Sequence, residues 1–553
     1  MRISTVTIHN FRSIKHQSFN LQNYSLIIGA NNVGKSNIID ALRIFYEKDL
    51  KFSPGRDFPK FETDDQESWI ELEFELLDEE YINLKDEFKQ PGNKLRVRKY
   101  LKSSNADRVK ANQSNIFGYE GNNLSDSLFY GARNISSAKL GDIIYIPDVT
   151  KIDEYTKLSG PSAFRNILDF VVKRVVKSSS AFEQLSNSFD EFNSNFRGED
   201  STDGISIKSL IADINNELKD WNITFNIDIN QIKPEDIIKN LVTHYLEDEH
   251  LINYKMDAGS YGQGLQRHLI YTLIKLSTKY KESSTKKDKK DFNPEMIVIL
   301  FEEPEAFLHP AQQDILNLSL KRLAQEDGQQ VIATTHSTHF VSKNIDDILS
   351  IIKLVKDGPQ TIVYQIDKEA LDKTLEENKE LKNILGEEIS DRDLELESIR
   401  YCLWLDPDRC CSFFANKVLI CEGLSEKALI DTLVKNGELH LTDGRTYILN
   451  AGGKHDIHRY MNLFGKLGIK HSILFDGDNN KERHKLINDF IEKNRNAFTS
   501  KFYAFDSDIE DFFGIPKEEK YYKKPLNIMW HYRNNMLTEK LEEFKNIILD
   551  LLD

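Results

Sequence analysis

The sequence predicts an α/β protein in which two regions of alternating strands and helices are joined by a charged helical connector. Three observations predict this organisation. Short apolar strands alternate with amphipathic helices up to Gln365, and the same alternation begins again at Lys417. Within the first region, amphipathic helices replace the strands from about Ser159 to Asp257. Strand–helix repetition implies parallel sheets with active residues at the carboxyl ends of the strands.

The bulk composition is typical of a large soluble protein. The chain has 553 residues, of which 39% are hydrophobic and 29% charged, which favours more than one domain. A net charge of −16 argues against a protein that coats nucleic acid with its whole surface, but it allows a local basic track. The longest apolar run, Met296 to Phe301, is too short to span a bilayer. We therefore expect a soluble, cytoplasmic protein without membrane contact.

The cysteines do not have the pattern of a metal site. Cys402, Cys410, Cys411 and Cys421 lie close together but lack a second CxxC pair and nearby histidines at ligand spacing. We expect reduced thiols, as in cytosolic proteins.

The N-terminal region begins with strands and one amphipathic helix. The helix is predicted from Ser36 to Tyr46, because its apolar residues recur on one face. The strands are predicted from alternating or continuous apolar residues at Ile3–Ile8, Tyr24–Ile28, Ile70–Leu76 and Lys94–Lys102.

A phosphate-binding loop connects the second strand to this helix. Its sequence, Gly29-Ala30-Asn31-Asn32-Val33-Gly34-Lys35-Ser36, matches GxxxxGK[ST] between a strand and a helix. Backbone N–H groups of such a loop surround phosphates, and the helix N-terminus favours the anion. We expect Lys35 to reach the β- and γ-phosphates of ATP and Ser36 to bind Mg²⁺, with Asn31, Asn32 and Gly34 in the cradle.

Acidic residues and a histidine follow two later strands of the same region. The apolar run Ile297–Phe301 ends in Glu302 and Glu303. Glu302 is expected to hold Mg²⁺ through water, and Glu303 to polarise the attacking water. The strand Val331–Thr335 leads to His336, at the position where a γ-phosphate sensor is needed.

The Gly-rich segment Gly259–Arg267 precedes a predicted helix. Alone it is typical of a helix N-cap formed by Ser260. Together with the preceding motifs, in this order, it resembles the signature motif of ABC ATPases. The resemblance implies that Ser260, Gly262 and Gln263 contact the γ-phosphate of ATP bound to a partner subunit in a head-to-head dimer. Glu302 replaces the aspartate usual in that family, which bears on the hydrolysis rate more than on ATP binding.

A second acidic constellation lies near the C-terminus. The strand Lys417–Cys421 ends in Glu422, and Ser472–Phe475 is followed by Asp476-Gly477-Asp478. Residues two apart in extended chain point the same way, so Asp476 and Asp478 are predicted to converge on one ion. Carboxylates at neighbouring strand ends suit Mg²⁺ or Mn²⁺, which activate water and neutralise charge on a scissile phosphate.

Glu-Gly after one strand and Asp-Gly-Asp after a later one resemble the Toprim fold of topoisomerases, primases and certain nucleases. Glu426 and Glu510 are further candidate metal ligands. Either Lys523 or Lys524 is a candidate to stabilise the phosphate, and we select Lys524. For the residues near 510 and 524, solvated surface charge is an equal alternative.

The combination of an ABC-type ATPase head and a Toprim domain resembles the OLD-family nucleases (overcoming lysogenisation defect). The resemblance implies an ATP-regulated, metal-dependent DNA endonuclease in bacterial defence against phages. It implies a homodimer through the heads, possibly a tetramer, and a second defence protein, such as a helicase-like protein or a retron reverse transcriptase with its RNA–DNA hybrid. The predicted domains are 1–158 with 258–367 for the ATPase, 159–257 for a helical dimerisation insertion, 368–412 for the connector and 413–553 for Toprim.

Two other functions are compatible with the motifs. The chain could be a regulatory ATPase whose Toprim domain is inert and whose partner does the cutting, although Glu422, Asp476 and Asp478 are all present. It could also be a DNA-repair ATPase, although its insertion is too short for a long coiled-coil arm.

Overall fold

The computed structural model describes most of the chain. Much of the predicted insertion, a middle part of the predicted connector and Cys402 lie outside the described residues, so the predicted domain boundaries stay predictions. The chain forms two compact units, Met1–Asp148 with Lys290–Asp553, and Val149–Lys289. The described residues are 1–148, 152–157, 206–219, 223–227, 243–247, 255–279, 292–294, 296–341, 345–387, 406–441, 446–478 and 481–553, with isolated positions between 162 and 191 and between 395 and 399.

Every strand that apolar runs or alternating patterns predicted is present, several are longer than predicted, and the structure adds strands that were not predicted. In chain order they are β1 Arg2–Phe11, β2 Ile14–Asn20, β3 Tyr24–Ile28, β4 Ser68–Glu75, β5 Lys94–Lys102, β6 Ile116–Glu120, β7 Asn123–Leu128, β8 Asp142–Ile146, β9 Leu246–Glu247, β10 Lys255–Met256, β11 Ile297–Glu302, β12 Gln329–Thr335, β13 Ile351–Asp357, β14 Gln360–Gln365, β15 Lys417–Cys421, β16 Thr446–Asn450, β17 Lys470–Asp476 and β18 Thr499–Phe505.

The helices range from single turns to about five turns. In chain order they are α1 Lys35–Phe45, α2 Pro54–Asp57, α3 Asp78–Asn83, α4 Ile135–Ala138, α5 Ile152–Thr156, α6 Ile207–Glu217, α7 Gln263–Lys279, α8 Pro310–Ala324, α9 Lys368–Ile384, α10 Pro407–Cys410, α11 Leu424–Lys435, α12 Lys454–Lys466, α13 Glu482–Lys493, α14 Ile509–Phe513, α15 Lys524–Arg533 and α16 Thr538–Leu552. Within the described ranges, none of them has the length and hydropathy needed to cross a bilayer.

The larger unit contains three sheets. One has the order β2-β1-β4-β5-β6-β7 and is antiparallel throughout. The second, β14-β13-β3-β12-β11-β8, is parallel except for its edge strand β14. The third, β16-β15-β17-β18, is parallel. The first sheet differs from the parallel sheets that strand–helix repetition predicted, because its pairs β1–β2, β4–β5, β5–β6 and β6–β7 are joined without a long helix and such strands pair antiparallel.

Helix α1 lies in the core between the first two sheets. Its residues Ile38, Ile39 and Phe45 are fully buried in one cluster with Leu72 of the antiparallel sheet and Leu300 of the parallel one. Burial of each large apolar side chain contributes about 1.5–3 kcal/mol. This packing fixes the helix, and therefore the loop that precedes it, against both sheets.

The hairpin β13–β14 touches the ATPase region and the segment before the third sheet. Lys353 is 3% exposed, and its ammonium group donates to the backbone carbonyl of Phe413, four residues before β15. Burial, followed by the nearby Lys35, lowers the pKa of Lys353 to about 8. The next residue, Leu354, and Thr361 of the paired strand β14 both contact the glycine loop described below. The β13–β14 hairpin therefore contacts the backbone of both the glycine loop and the segment at Phe413.

Candidate active sites

The phosphate loop has a conformation that requires glycine at two positions. Gly34 has φ 107°, and a Cβ atom there would lie 2.6 Å from the hydroxyl oxygen of Thr361. Gly29 has φ 152°, and its Cβ would lie 2.6 Å from the carbonyl oxygen of Leu354. The Thr361 hydroxyl donates to the carbonyl of Val33 at 2.6 Å. The β13–β14 hairpin thus packs so closely against the loop that no side chain fits at Gly29 or Gly34.

Lys35 is the buried cation of this loop. Its ammonium nitrogen donates to the carbonyl oxygens of Gly29 at 3.1 Å and Ala30 at 3.0 Å. Burial lowers its pKa to about 8, although Glu303 and other nearby glutamates act in the opposite direction. An anion beside the ammonium would offset this burial penalty, so the residue is suited to phosphate.

Glu302 occupies the last position of β11 and is 9% exposed. The Tyr145 hydroxyl, from the adjacent strand β8, donates to its carboxylate at 2.6 Å. The guanidinium of Arg43 in turn lies 3.8 Å from the centre of the Tyr145 ring. Glu302 is therefore oriented by a tyrosine distant in sequence, a partner that no motif indicated.

Glu303 and His336 meet at the same sheet edge. Glu303 has φ 44°, and its carboxylate lies 3.4 Å from Nε2 of His336. Burial and the nearby Lys35 lower the pKa of His336 to about 4, so the ring is neutral at pH 7 and the contact is not an ion pair. The backbone N–H of His336 donates to Glu305 at 2.7 Å. Burial raises the pKa of Glu305.

These groups line one cavity of about 540 Å³. It includes the predicted head residues outside the signature motif, namely Asn31, Asn32, Gly34, Lys35, Ser36, Glu302, Glu303 and His336. The lining residues that sequence reasoning missed are Ser13, Asn37, Asp40, Arg43, Tyr145, Asp148, Thr334 and Lys356. The open loop, the buried cation and the acidic strand end fit a nucleotide with a divalent ion.

The signature-like segment lies in the smaller unit. Ser260, Gly262 and Gln263 are exposed at the start of α7. The turn is held from within, because the Gln266 amide donates to the carbonyl oxygens of Gly259 at 3.1 Å and Tyr261 at 2.7 Å. Asp257 caps the short helical turn before it, and α7 begins at Gln263 with Gly262 accepting its first backbone hydrogen bonds, so Ser260 does not occupy the N-cap position of α7.

The third sheet brings the acidic residues of the C-terminal region to one edge. Glu422 directly follows β15, and Asp476 ends the neighbouring strand β17. The backbone N–H of Asp476 donates to the Glu422 carboxylate at 3.0 Å. Glu426, in the first turn of α11, is 2% exposed and accepts from the N–H of Gly423 at 3.1 Å. Glu510 of α14 is 1% exposed. We call Glu422, Glu426, Asp476 and Glu510 the carboxylate cluster.

Asp478 lies differently from the prediction. The strand ends at Asp476, and Asp478 has φ 48°, so the extended-chain argument that aimed both side chains the same way is wrong. The carboxylate of Asp478 instead lies 3.4 Å from the buried ammonium of Lys454 and 3.2 Å from Nδ1 of His484. The turn at Gly477 closes onto β18, since the N–H of Gly477 donates to the carbonyl of Phe505 at 2.8 Å.

The carboxylate cluster crowds acidic groups together in a buried place. Burial, then Glu426 and Glu422, raises the pKa of Asp476 to about 9. Burial is the first cause for Glu426 too, and raises its pKa to about 7. Burial also raises the pKa of Glu422 and of Glu510. Within the part of the chain that the structure describes, both carboxylate oxygens of Glu510 are buried without a hydrogen-bond partner.

Lys524 acts on three members of this cluster, and Lys454 also lowers the pKa of Glu422. Lys524 begins α15, and its charge lowers the pKa of Glu422, Asp476 and Glu510 against the larger effect of burial. Lys523 is exposed. Among the described residues, no three acidic, histidine or cysteine side chains are already arranged as a metal site. The orphaned oxygens and raised pKa values nevertheless fit a cation that would replace protons.

The comparisons with known proteins agree with the two-part organisation. Residues 1–341 match the family described as AAA ATPase domain, and residues 413–478 match the overcoming lysogenization defect protein-like TOPRIM domain. Endonuclease GajA of Bacillus cereus strain VD045 is 24% identical over 97% of this chain and 86% of its own length. Old nuclease of Escherichia phage P2 is 24% identical over 86% of this chain and 77% of its own length.

A solved SMC head domain from Thermotoga maritima covers 66% of this chain and all of its own, with a TM-score of 0.30 and 13% sequence identity. The predicted resemblance and fold class are confirmed by the family matches. Three of the four cysteines are described, and all three are free thiols as predicted.

Proposed function

The chain belongs to the family of AAA ATPases that carry an OLD-like TOPRIM domain, and on this premise we propose that it is an ATP-regulated, Mg²⁺-dependent DNA endonuclease. One observation carries the proposal. The buried carboxylate cluster, with Lys524 beside it, lies at the carboxyl edge of a parallel sheet in the same chain as a complete phosphate loop. Family membership makes it an ATPase and a nuclease. Beyond that, we propose that the substrate is DNA, that the ion is Mg²⁺ and that ATP regulates cutting.

At the nuclease site, Glu422 and Asp476 are the central metal ligands in this proposal. Glu426 and Glu510 would join them, and Asp478 would contribute once released from Lys454. Such an ion activates water and neutralises charge on the scissile phosphate. Lys524 would hold a phosphate oxygen, because a cation next to carboxylates can bridge to the substrate anion.

At the ATPase site, the loop residues Asn31, Asn32 and Gly34 would surround the phosphates, with Lys35 as the buried cation. Ser36 and Glu302 would hold Mg²⁺, and Glu303 would orient the attacking water. The neutral His336 ring has one nitrogen that can donate a hydrogen bond near the γ-phosphate and one that can accept, which supports its assignment as a sensor.

We propose that two heads close over two ATP molecules. The exposure of Ser260, Gly262 and Gln263 supports this arrangement, because residues that reach a partner's nucleotide must lie on the surface. The insertion at 159–257 is our candidate for a second contact, which would give a tetramer.

The relatives' names motivate the biological setting. One is called an endonuclease and one an Old nuclease. We propose that this chain is an effector of bacterial anti-phage defence. Its partner would be a helicase-like protein or a retron reverse transcriptase with its RNA–DNA hybrid.

The direct test uses purified protein and supercoiled plasmid with Mg²⁺ or Mn²⁺, with and without ATP. We expect nicking or linearisation, and a changed cleavage rate when ATP is added. Lys35→Ala should lose ATP binding and respond no longer to ATP, while its metal-dependent cutting persists. Failure to cut under every metal and nucleotide condition would favour a regulatory ATPase. Normal ATP binding by Lys35→Ala would contradict the assignment of the loop.

A further inference from the structure

An exposed row of aromatic and apolar side chains lies on helix α15 and the turn before it. Tyr521, Tyr522, Leu526 and Trp530 are 62%, 66%, 67% and 54% exposed. We call these four residues the aromatic row. Leu526 and Trp530 are four residues apart in α15, which places them on one helix face about 6 Å apart along the axis. Tyr521 and Tyr522 lie in the turn directly before the helix. Single exposed apolar residues are ordinary, but a contiguous row marks a contact surface.

The other face of α15 fixes this row relative to the carboxylate cluster. Asn436 donates to the Tyr532 hydroxyl at 2.7 Å, and the Thr432 hydroxyl lies 3.9 Å from the sulfur of Met529. Both pairs join α11 to α15 with nearly the same sequence offset, so the two helices run parallel. Since α11 starts directly after Glu422, the start of α15 lies at the metal end of the domain.

Electrostatic effects agree with this placement. Burial, then Glu426 and Glu422, raises the pKa of Tyr521. Lys524, three residues later, acts on Glu422 and Asp476 of the same cluster. The aromatic row therefore begins beside the carboxylate cluster and leads away from it.

Lysines surround the start of the row. Lys520 and Lys523 are exposed, and Lys524 is half-buried. Among the described residues, none of these three lysines makes a salt bridge, in contrast to the neighbouring Lys517, which pairs with Asp508 and Asp511 at 2.6 Å. Unpaired cations combined with exposed rings are the features that bind single-stranded nucleic acid, since the lysines attract phosphates and the rings stack on bases.

We propose that the aromatic row is a stacking platform for unpaired bases of the strand whose phosphate lies at the carboxylate cluster. The substrate would then be single-stranded, or opened next to the cut. This inference rests on the proposed nuclease function for the position of the cut, but binding by the row can be measured without cutting.

The platform makes a duplex a weaker ligand, because the faces of paired bases are covered by their neighbours in the stack. A strand bound by base stacking is held with little sequence preference, since every base has an aromatic face. Tyr522 and Trp530 are the two rings whose removal tests this, because neither has a role in the carboxylate cluster.

The experiment measures binding of a labelled 20-nucleotide single strand, and of the same sequence as a duplex, to the full chain in EDTA by fluorescence anisotropy. The variants are Tyr522→Ala with Trp530→Ala, and Tyr522→Phe with Trp530→Phe, which keeps the rings. Met536→Ala is the control, because Met536 is also exposed (55%) and lies in the same domain but outside the row. Thermal melting checks that each variant is folded.

We expect the alanine pair to weaken single-strand binding by at least about fivefold for each ring, with a smaller effect on the duplex. The phenylalanine pair and Met536→Ala should bind as the parent does. An unchanged affinity, an equal loss for both ligands, or no binding by the parent would overturn the inference. A changed oligomeric state in light scattering with unchanged DNA affinity would instead make the row a contact between copies of this chain.

These outcomes are separate from failure of the nuclease proposal. Parent protein that binds single strands through the rings but never cuts would contradict the nuclease and leave the platform intact. Protein that cuts a duplex equally well with and without the rings would contradict the platform and leave the nuclease proposal intact.

Discussion

The nucleotide cavity and the carboxylate cluster both lie where acidic residues follow parallel strands, but their charges are arranged differently. In the cavity, Glu302 accepts from Tyr145, and Glu303 lies beside a neutral histidine and a buried lysine. In the cluster, burial and like charges raise the pKa of Asp476 to about 9 and of Glu426 to about 7. The first site therefore fits an anion, whereas the raised pKa values at the second fit a cation that would replace protons.

The largest effect is expected from Asp476→Asn. The substitution keeps the size of the side chain but removes a charged oxygen from the proposed metal site, so we expect DNA cleavage to fall by about 1,000-fold. ATP hydrolysis should remain, because the phosphate loop is in another sheet. The measurement is plasmid cleavage and phosphate release on the same preparation. Asp506→Asn, an exposed aspartate after β18, is the matched control. Parent-like cleavage by Asp476→Asn would refute the assignment of this site.

Asp478→Ala tests whether a carboxylate that the structure pairs with Lys454 also contributes to cleavage. We expect a loss of cleavage in the same direction, because Asp478 is a proposed ligand once a metal competes with Lys454. If Asp478→Ala cuts at the parent rate, the residue only stabilises the turn.

Glu303→Gln is expected to have the next largest effect, confined to the nucleotide site. It removes the group proposed to orient water, so ATP hydrolysis should fall by about 100-fold while ATP binding persists. Steady-state hydrolysis and ATP binding by calorimetry are the measurements, with the exposed Glu326→Gln as control. Hydrolysis at the parent rate would mean that another residue positions the water.

A smaller effect is expected in the response to pH without metal. Asp476 and Glu426 hold protons in the folded chain up to about pH 9 and 7, whereas unfolded carboxyl groups lose them near pH 4. The folded state therefore binds more protons in this window, and its stability should fall as pH rises through it. Mg²⁺ should raise the melting temperature more at pH 8.5 than at pH 6, because it replaces those protons.

Two lysines have the opposite effect on stability. Lys35 and Lys353 have a pKa lowered to about 8 in the folded chain, so above that pH they make the stability rise with pH. The quantity to compare is thus the difference in melting temperature between the parent and Asp476→Asn. A difference that does not change between pH 6 and 9 would contradict proton storage in the cluster.

The smallest effect is expected from Thr361→Val. The substitution keeps the shape but removes the hydroxyl that donates to Val33, and one such hydrogen bond contributes about 1 kcal/mol. We expect ATP binding to weaken by about fivefold, measured by calorimetry, with cleavage in the absence of ATP unchanged. An unaltered affinity would mean that the loop keeps its conformation without support from the hairpin.

Local patterns were sufficient to predict the acidic strand ends and the glycine loop. Glu302, Glu422 and Asp476 each follow an apolar run, and a buried strand must end where polar residues begin. Lys35 was predictable because the loop residues are consecutive. The assignment of roles to these residues stays a prediction, while the family matches confirm the fold and the enzyme class.

Contacts between distant segments could not be predicted from those patterns. Tyr145 reaches Glu302 across a separation of 157 residues, and Thr361 reaches Val33 across 328. Neither belongs to a motif, because the sheet order that joins them is set by tertiary packing. The left-handed conformation of Asp478 was missed for a related reason: a carboxylate two residues after a strand end was assumed to continue the strand.

The buried contact of Lys353 with the backbone of Phe413 limits how this protein can be taken apart in the laboratory. Truncation at residue 412 would remove the acceptor and leave an amine enclosed in apolar surroundings, which is costly for a polar group. An isolated head made in this way would start with a defect unrelated to nucleotide binding. Chimeras that exchange the C-terminal domain between relatives should therefore retain the residues from β13 through β15 as one piece.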